Sequence, residues 1–537
     1  MPYTVLLQNI KVPLDKRERA LCDRDALRQA EKKLLAQGIT ANRVTIAKRS
    51  VDARRRDSIL YLYSVAAELE APPSEEAIAK LSLVMLAKAD YAPTVGTEEL
   101  AARPVVVGFG PAGMFAALAL AERGYRPLVL ERGKDVDARS RDVSAFRERG
   151  ILDTESNIQF GAGGAGTFSD GKLVTRKNDP LCAYVLSRLV EFGANSDILV
   201  NAKPHIGTDV LKTVVKQIEA RILSLGGEIR YGARVKAIAP HTRGVCLSTE
   251  EDTVLAGAVV LAIGHSARDT YRHLYESGHR LQPKAFSVGV RIEHLCEDID
   301  EALYGDARRY LPHAEYSLSY REGARGVYSF CMCPGGEVVA AASETESVVT
   351  NGMSNSRRDG KNDNAALCVS VLPEDYGNDP MGAIAYQRRL EKAAYRAAVA
   401  RGGDLYAAPI MTVGDLLSGK YGTAPSRIQP SYRGGNTVPC DLTAILPSYV
   451  SELLKRGMVR FGKTIRGFDA PDAILTGVET RTSAPLRILR SEHGESLSVP
   501  YLYPCGEGAG YAGGITSAAL DGLKIAASLM GRFKPLE

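Results

Sequence analysis

The chain has 537 residues, 45% hydrophobic and 24% charged, with a formal net charge of +5. That length suits about three domains, and the composition is globular rather than disordered or fibrous. Nine scattered cysteines make no disulfide framework, and no apolar run is long enough to span a bilayer. The first residues lack a basic stretch followed by an apolar one, so no secretory signal is read and a cytoplasmic location is expected.

The charge is unevenly spread. Residues 1–60 hold 14 Lys and Arg against 7 Asp and Glu, while the remainder carries 54 against 56. Lys48-Arg49 and Arg54-Arg55-Arg56 concentrate the surplus.

In chain order, Tyr3 to Val12 alternates like a strand, and Asp23 to Gln37 reads as a helix ended by Gly38. Two strands follow at Arg43 to Arg49 and Ile59 to Leu69. A helix start at Pro72-Pro73-Ser74-Glu75-Glu76 leads into Ala77 to Leu83, with a last strand near Leu83 to Ala87. This order predicts a small α+β, ferredoxin-like domain over 1–98, with Tyr91 to Pro104 as the linker.

The next segment reads Val105-Val-Val-Gly108-Phe-Gly110-Pro111-Ala112-Gly113, then Ala117, Gly124 and Leu128-Val-Leu-Glu131-Arg132. A β-branched strand runs into a tight turn at Gly108. Gly110 lets the backbone approach a pyrophosphate, and Gly113 lets the new helix pack closely on the strand. The helix start aims N–H groups and its positive dipole end at phosphates. Glu131 stands where a carboxylate takes ribose hydroxyls and repels a 2′-phosphate, which favours FAD or NAD over NADP.

The GxGxxG pattern recurs at Gly161 to Gly166 and Gly508 to Gly513. The second match, with Gly163, Gly164, Ala165 and Gly166, leads into Thr-Phe-Ser169-Asp170-Gly171-Lys172 and reads as backbone wrapping a ligand. Helices are expected at Pro180 to Phe192 and Asp209 to Leu225, and a strand at Glu228 to Ile238 that includes Val235, a further candidate cofactor contact. An apolar run, Val254 to Ile263, ends in Gly264-His265-Ser266. Residues 281–459 mix short strands, a loop at Asn351 to Asn364 and helices at Met381 to Arg401 and Leu446 to Arg456. They read as an inserted α+β substrate or cap domain. The strand Val499 to Tyr503 feeds Cys505-Gly506-Glu507, and Gly513-Gly514-Ile515 opens a closing helix from Thr516 to Met530. With the chain ending soon after, this is no second complete dinucleotide site. It suits a return of the first domain, with Glu507 on a ribityl hydroxyl and the helix start facing a flavin. The expected division is therefore 1–98, 99–280, 281–459 and 460–537, with no internal repeat.

The fingerprint, the late Val254-to-Gly264 strand and the closing Gly-Glu–Gly-Gly–helix resemble the glutathione-reductase-like FAD-binding superfamily. More narrowly, the chain is similar to a widespread group of FAD-dependent dehydrogenases. The resemblance rests on Gly163 to Lys172, Ala262 to Asp269, Phe330-Cys-Met-Cys-Pro-Gly-Gly336, Asn351 to Ser354, Gly477-Val-Glu-Thr-Arg-Thr-Ser483 and Gly506 to Gly514. It implies a Rossmann-like α/β fold, bound FAD and hydride transfer through flavin N5 to or from a small molecule. Without a second nucleotide unit, the expected source of electrons is transiently docked NAD(P)H, a ferredoxin-type protein or the substrate itself. Two rival readings stay open: an aromatic hydroxylase, and a flavoprotein whose basic N-terminal domain binds nucleic acid or protein.

Candidate catalytic residues are His265, Lys172, Cys331, Cys333 and Arg481. His265 either acts as a proton donor or bonds the backbone. Lys172 faces the flavin, contacts a phosphate or is a solvated loop residue. Cys331 and Cys333 share a face if Tyr328 to Cys333 is a strand, and are either a redox pair or core thiols. Arg481 either clamps a carboxylate or pairs with Glu479. Arg268 and Asp269 read as a helix-start ion pair. No metal site is expected, because no second Cys/His pair has zinc spacing.

Overall fold

The computed structural model describes residues 3–15, 17–86 and 91–536. Near the N-terminus, strands Tyr3–Pro13, Arg43–Asp52, Leu60–Leu69 and Val84–Met85 and helices Arg19–Leu35 and Glu75–Leu81 follow each other in βαββαβ order. Across the antiparallel sheet the order is Arg43–Asp52, Leu60–Leu69, Tyr3–Pro13, Val84–Met85. Leu60–Leu69 alternates strictly, burying Tyr61, Tyr63, Val65, Ala67 and Leu69. These meet Cys22, Ala26, Ala30 and Leu34, spaced by four on one helix face. The expected last strand is seen at Val84–Met85, and Ala87 lies outside the described residues.

The basic segment is partly consumed by structure. Arg49 is buried and bonds Asp23 at 2.8 Å and Asn201 at 2.7 Å. Its backbone exchanges hydrogen bonds with Val200 and Ala202, which ties this sheet to the next region. Arg54 closes on Asp52, and Arg56 donates to the Glu301 carbonyl at 2.6 Å.

A five-stranded parallel sheet runs Leu502–Pro504, Val259–Leu261, Val105–Val107, Leu128–Leu130, Glu228–Arg230. Its strands are only three residues deep, and the inner ones are buried on both faces. Val106, Val129 and Val260 point to one core, and their neighbours Val105, Leu128 and Val259 to the other. Helices Pro111–Glu122 and Ile515–Arg532 pack together on the first face. A Cβ at Gly522 would stand 2.1 Å from the Ala112 carbonyl oxygen, so this contact requires glycine.

Two expected strands are each split. After Glu228–Arg230 the chain turns, and Ala237–His241 joins a separate antiparallel sheet with Gly244–Ser248 and Thr253–Ala256. The Val254-to-Ile263 run likewise divides between that sheet and Val259–Leu261. It breaks at Gly257, where a Cβ would meet the Ala102 carbonyl oxygen at 2.1 Å.

The third unit is a seven-stranded sheet in the order Ser319–Glu322, Arg325–Cys333, Asn362–Val371, Phe286–Leu295, Ile474–Glu479, Ala408–Thr412, Thr437–Pro439. Ile474–Glu479, which the sequence reading assigns to the C-terminal part, is an inner strand here. Helices Pro380–Ala400 and Ser448–Gly462 stand at the expected places. Asn351 to Asn364 is not one loop: Thr350–Met353 and Asn362–Val371 are strands at its two ends. Two of the polar residues buried there are bonded to distant parts of the chain. Asn362 donates to Glu293 and to the Gln429 carbonyl, both at 2.9 Å, and Asp363 accepts the Gly335 amide at 2.9 Å.

Candidate functional site

A cleft of about 320 Å³ opens between the parallel sheet and the seven-stranded sheet. Two helix N-termini face it. Gly110, Pro111 and Ala112 bring one, and Gly513, Gly514, Ile515 and Ala518 bring the other. Their free backbone N–H groups and dipole ends make the cleft attractive to anions.

The Gly-rich loop after Gln159 closes over the fingerprint loop. Gly163 N–H donates to the Phe109 carbonyl at 2.8 Å, and a Cβ at Gly164 would come within 2.8 Å of the Gly110 Cα. The two loops thus touch backbone to backbone, which only glycine permits.

At one end, the Glu131 carboxylate accepts three backbone N–H bonds, from Phe109 at 2.7 Å and from Gly133 and Gly161 at 2.9 Å. Arg132 stacks 3.9 Å above the Phe160 ring and pairs with Glu155 and Asp269, each at 2.9 Å. Val235 lines this end. Asp269 therefore pairs with Arg132, not with Arg268 as expected.

Farther along, the partly buried Glu507 lines the cleft. Burial pushes its carboxyl up to about 7, with Lys284 pulling the other way. Gly513 and Gly514 also line the cleft, with open space where a Cβ would stand, and neither takes a left-handed φ. Those glycines are not demanded by the protein's own packing. A hydroxyl-bearing, phosphate-bearing ligand fits what is present: helix starts for its anionic part, and a carboxyl without a protein donor for its hydroxyls.

Most expected cofactor residues line the cleft: Gly108, Gly110, Pro111, Ala112, Glu131, Arg132, Gly164, Ala165, Gly166, Val235, Gly264, Glu507, Gly513, Gly514 and Ile515. Gly113, Gly163 and Gly506 stand behind its wall and are held by packing instead. A Cβ there would meet Gly108 O at 1.9 Å, Thr167 Oγ1 at 2.0 Å and the Ala112 Cβ at 2.6 Å, respectively.

The candidate catalytic residues separate. His265 lines the cleft, but its Nε2 bonds the Arg481 carbonyl at 3.0 Å and its Nδ1 lies 3.1 Å from Ser266 Oγ. Burial, with the nearby Arg481 cation, lowers its pKa to about 4, so near neutral pH it is an uncharged imidazole. Its bond to a carbonyl fits the second of the two readings, an imidazole bonded to the backbone. Arg481 is not paired with Glu479. Its guanidinium binds Glu391 at 3.1 Å and 3.2 Å and Ser343 at 2.6 Å, and is used up there. Arg268 joins from the other side, reaching Glu391 and Glu344. Lys172 sits against Asp170 at 3.0 Å, and Asp170 is gripped by Arg358 at 2.6 and 3.0 Å.

Cys331 lines the cleft and Cys333 lies fully buried behind it. They end the Arg325–Cys333 strand, where the pairing register shifts and Cys331 takes φ +44°. Buried Arg291 holds the Cys331 carbonyl at 2.5 Å and reaches Glu479 at 3.3 Å. Glu479 is the residue that sequence reasoning missed, having cast it only as a partner for Arg481. It lines the cleft, and burial pushes its carboxyl up to about 7 against the pull of Arg291. The only sequence signal was an acid at the end of an apolar strand.

Fold and cleft together describe an α/β protein built to hold a dinucleotide-like cofactor. Residues 285–482 match the family described as "FAD-dependent protein, C-terminal domain-like". An "uncharacterized protein" of Clostridium beijerinckii is 46% identical over 511 residues, covering 94% of this chain and 95% of that one. The chain belongs to this family of FAD-dependent proteins, and FAD is its cofactor. Among solved structures, CtdE in complex with FAD is 12% identical over 81% of this chain and 84% of its own, with a TM-score of 0.32. A variant of the halogenase PltM in complex with FAD is 12% identical over 80% and 71%, with a TM-score of 0.37. The thioredoxin reductase from Streptococcus pyogenes is 18% identical over 30% and 35%, with a TM-score of 0.18. Among the described residues, no helix is long and apolar enough to cross a membrane, and no group of three His, Cys, Asp or Glu could hold a metal ion.

Proposed function

We propose that the protein is a flavin-dependent oxidoreductase acting on a small molecule admitted between the parallel sheet and the seven-stranded sheet. The observation that carries this reading is the convergence of two helix starts, at Pro111 and Ile515, with the unpartnered Glu507 on one cleft. Bound FAD supplies two-electron hydride chemistry at its N5. In this reading Gly108 to Ala112 receive the diphosphate, and Glu131, Arg132 and Val235 the adenosine end. Gly164 to Gly166 cover the cofactor, and Glu507 with Gly513 to Ile515 take the ribityl and flavin end.

Proton movement falls to Glu479 rather than to His265. A carboxyl poised near 7 exchanges protons readily at neutral pH, whereas an imidazole near 4 does not. Lys172 and Arg291 supply positive charge near the same wall. The Arg268–Glu391–Arg481 cluster positions the 266 and 481 segments without touching a reactant.

The test is anaerobic reduction of the purified yellow protein with NADH, NADPH and a reduced ferredoxin. Bleaching by at least one donor, with re-oxidation by a small-molecule acceptor, is expected. A protein that purifies colourless and refuses FAD on reconstitution overturns the reading. Oxygen uptake matched one-to-one to a hydroxylated product would replace it with a hydroxylase.

A further inference from the structure

We propose that Cys331 and Cys333 form a redox-active dithiol–disulfide pair that exchanges two electrons with the cofactor in the cleft. The inference rests on the cleft being the FAD site. It adds a second redox centre, supplied by the chain itself, whose chemistry is that of an internal thiol–disulfide couple.

Geometry comes first. Residues two apart on a strand point the same way, with Cα atoms roughly 6.6 Å apart, just inside the span a disulfide bridges. Here the strand is not regular. The register shift between Phe330 and Cys333 and the left-handed Cys331 draw the strand end together. The Cys333 thiol donates to the Cys331 carbonyl oxygen at 3.3 Å, folding its side chain back toward Cys331. Both cysteines are free thiols here.

The surroundings distinguish the two sulfurs. Cys331 faces the cleft, where Lys172, Glu479 and Asn351 are its neighbours in the lining, while Cys333 is sealed from solvent. The neighbouring Cys333 holds the Cys331 thiol below its ordinary range against the cost of burial, and the Arg291 and Lys172 cations add to that. Cys333 is raised instead, by the neighbouring Cys331 and by its own burial. One sulfur at the cofactor side, flanked by cations, and one sealed behind it is the asymmetry that thiol–disulfide chemistry uses. Four of the other cysteines, Cys22, Cys368, Cys440 and Cys505, are buried thiols whose pKa burial pushes up.

The step balances within the site. Oxidation forms the Sγ–Sγ bond, releases two electrons and frees the two thiol protons. The oxidised cofactor takes up both electrons and one proton. The second proton passes to the Glu479 carboxylate, which shares Arg291 with the Cys331 backbone. The reverse step reduces the disulfide.

The experiment uses the FAD-loaded full chain without substrate. The oxidised and anaerobically reduced holoproteins are denatured, alkylated and weighed intact. Of the nine cysteines, two fewer should be alkylated in the oxidised form, with the missing pair mapped to the 331–333 peptide. Reductive titration should consume roughly twice as many electrons per FAD in the wild type as in Cys333→Ser. Cys331→Ser serves if that variant fails to fold, and the alkylation comparison needs no variant. Full alkylation in both states, with equal electron uptake by wild type and variant, overturns the dithiol pair while leaving the flavoprotein reading intact. Failure to hold FAD at all overturns both.

Discussion

Glu391 and Arg268 meet through two hydrogen bonds, of 2.7 and 2.8 Å, with essentially no solvent reaching either side chain. Arg481 closes on the same carboxylate, and Thr480 Oγ1 donates to it at 2.7 Å. The cluster bolts the Arg268–Glu276 helix, beside the parallel sheet, to the Pro380–Ala400 helix of the substrate half. Removing the anion they share leaves buried Arg481 without a counter-ion and buried Arg268 with only the partly exposed Glu344. Glu391→Gln should therefore cost about 3–5 kcal/mol in denaturant unfolding. A loss below about 1 kcal/mol would show that the cluster is solvated in solution.

The cleft carboxyls set a pH signature. Glu479 and Glu507 both have folded pKa values raised to about 7 from an ordinary 4.5. Protonated carboxyls suit the folded cleft, so this stability is fully present below the unfolded value and lost as pH rises through about 7. FAD-free protein should weaken by on the order of 3 kcal/mol per carboxyl over that window. Urea melts at stepped pH should show the slope, and Glu507→Gln and Glu479→Gln should each flatten it. An unchanged slope in both variants would contradict the assignment.

Glycines that serve the chain can be told from glycines that serve the ligand. Gly113→Ala drives a methyl onto the Gly108 carbonyl oxygen and should destabilise the FAD-free fold by about 1–3 kcal/mol. Gly513→Ala meets nothing within 4 Å and should leave unfolding unchanged within about 0.5 kcal/mol. It should nevertheless weaken FAD retention, because in the proposed pose its methyl projects toward the cofactor. Equilibrium dialysis of FAD beside the two melts gives the comparison, and equal FAD binding by wild type and Gly513→Ala would count against the proposed pose.

His265 should stay neutral through the physiological range. Its folded pKa of about 4 lies below the ordinary 6.5, so its stabilising contribution is present above that value and is lost as pH falls through about 4. Imidazole-labelled NMR should show no titration of this ring between about pH 5 and 8. A midpoint above about 6 would return it to the list of proton donors.

What could be read without coordinates follows from distance along the chain. The fingerprint was legible because its demands are local: Gly108, Gly110 and Gly113 each answer a backbone constraint within a few residues, and Glu131 comes one helix later. Strand and helix periodicity placed Leu60–Leu69 and Pro380–Ala400 for the same reason. The charged clusters were not legible. Arg481 finds Glu391 ninety positions away rather than the neighbouring Glu479, and Asp170 is held by Arg358. Short strands misled in another way. A continuous apolar run at Val254 to Ile263 gave no hint that Gly257 passes too close to Ala102 to stay in one sheet. The buried Asn362 and Asp363 looked like loop because their bonding partners lie far off in sequence.

The parallel sheet also dictates an order of assembly during synthesis. Val105–Val107 leaves the ribosome early, yet its sheet lacks the Leu502–Pro504 edge until nearly four hundred more residues have followed. The second helix start, at Ile515, emerges later still. A nascent chain therefore carries a half-built cofactor cradle through most of translation, with the seven-stranded sheet free to form first from all strands up to Ile474–Glu479. Capture of FAD is in consequence a closing event of biogenesis, and ribosomes stalled before residue 500 should display chains that cannot retain it.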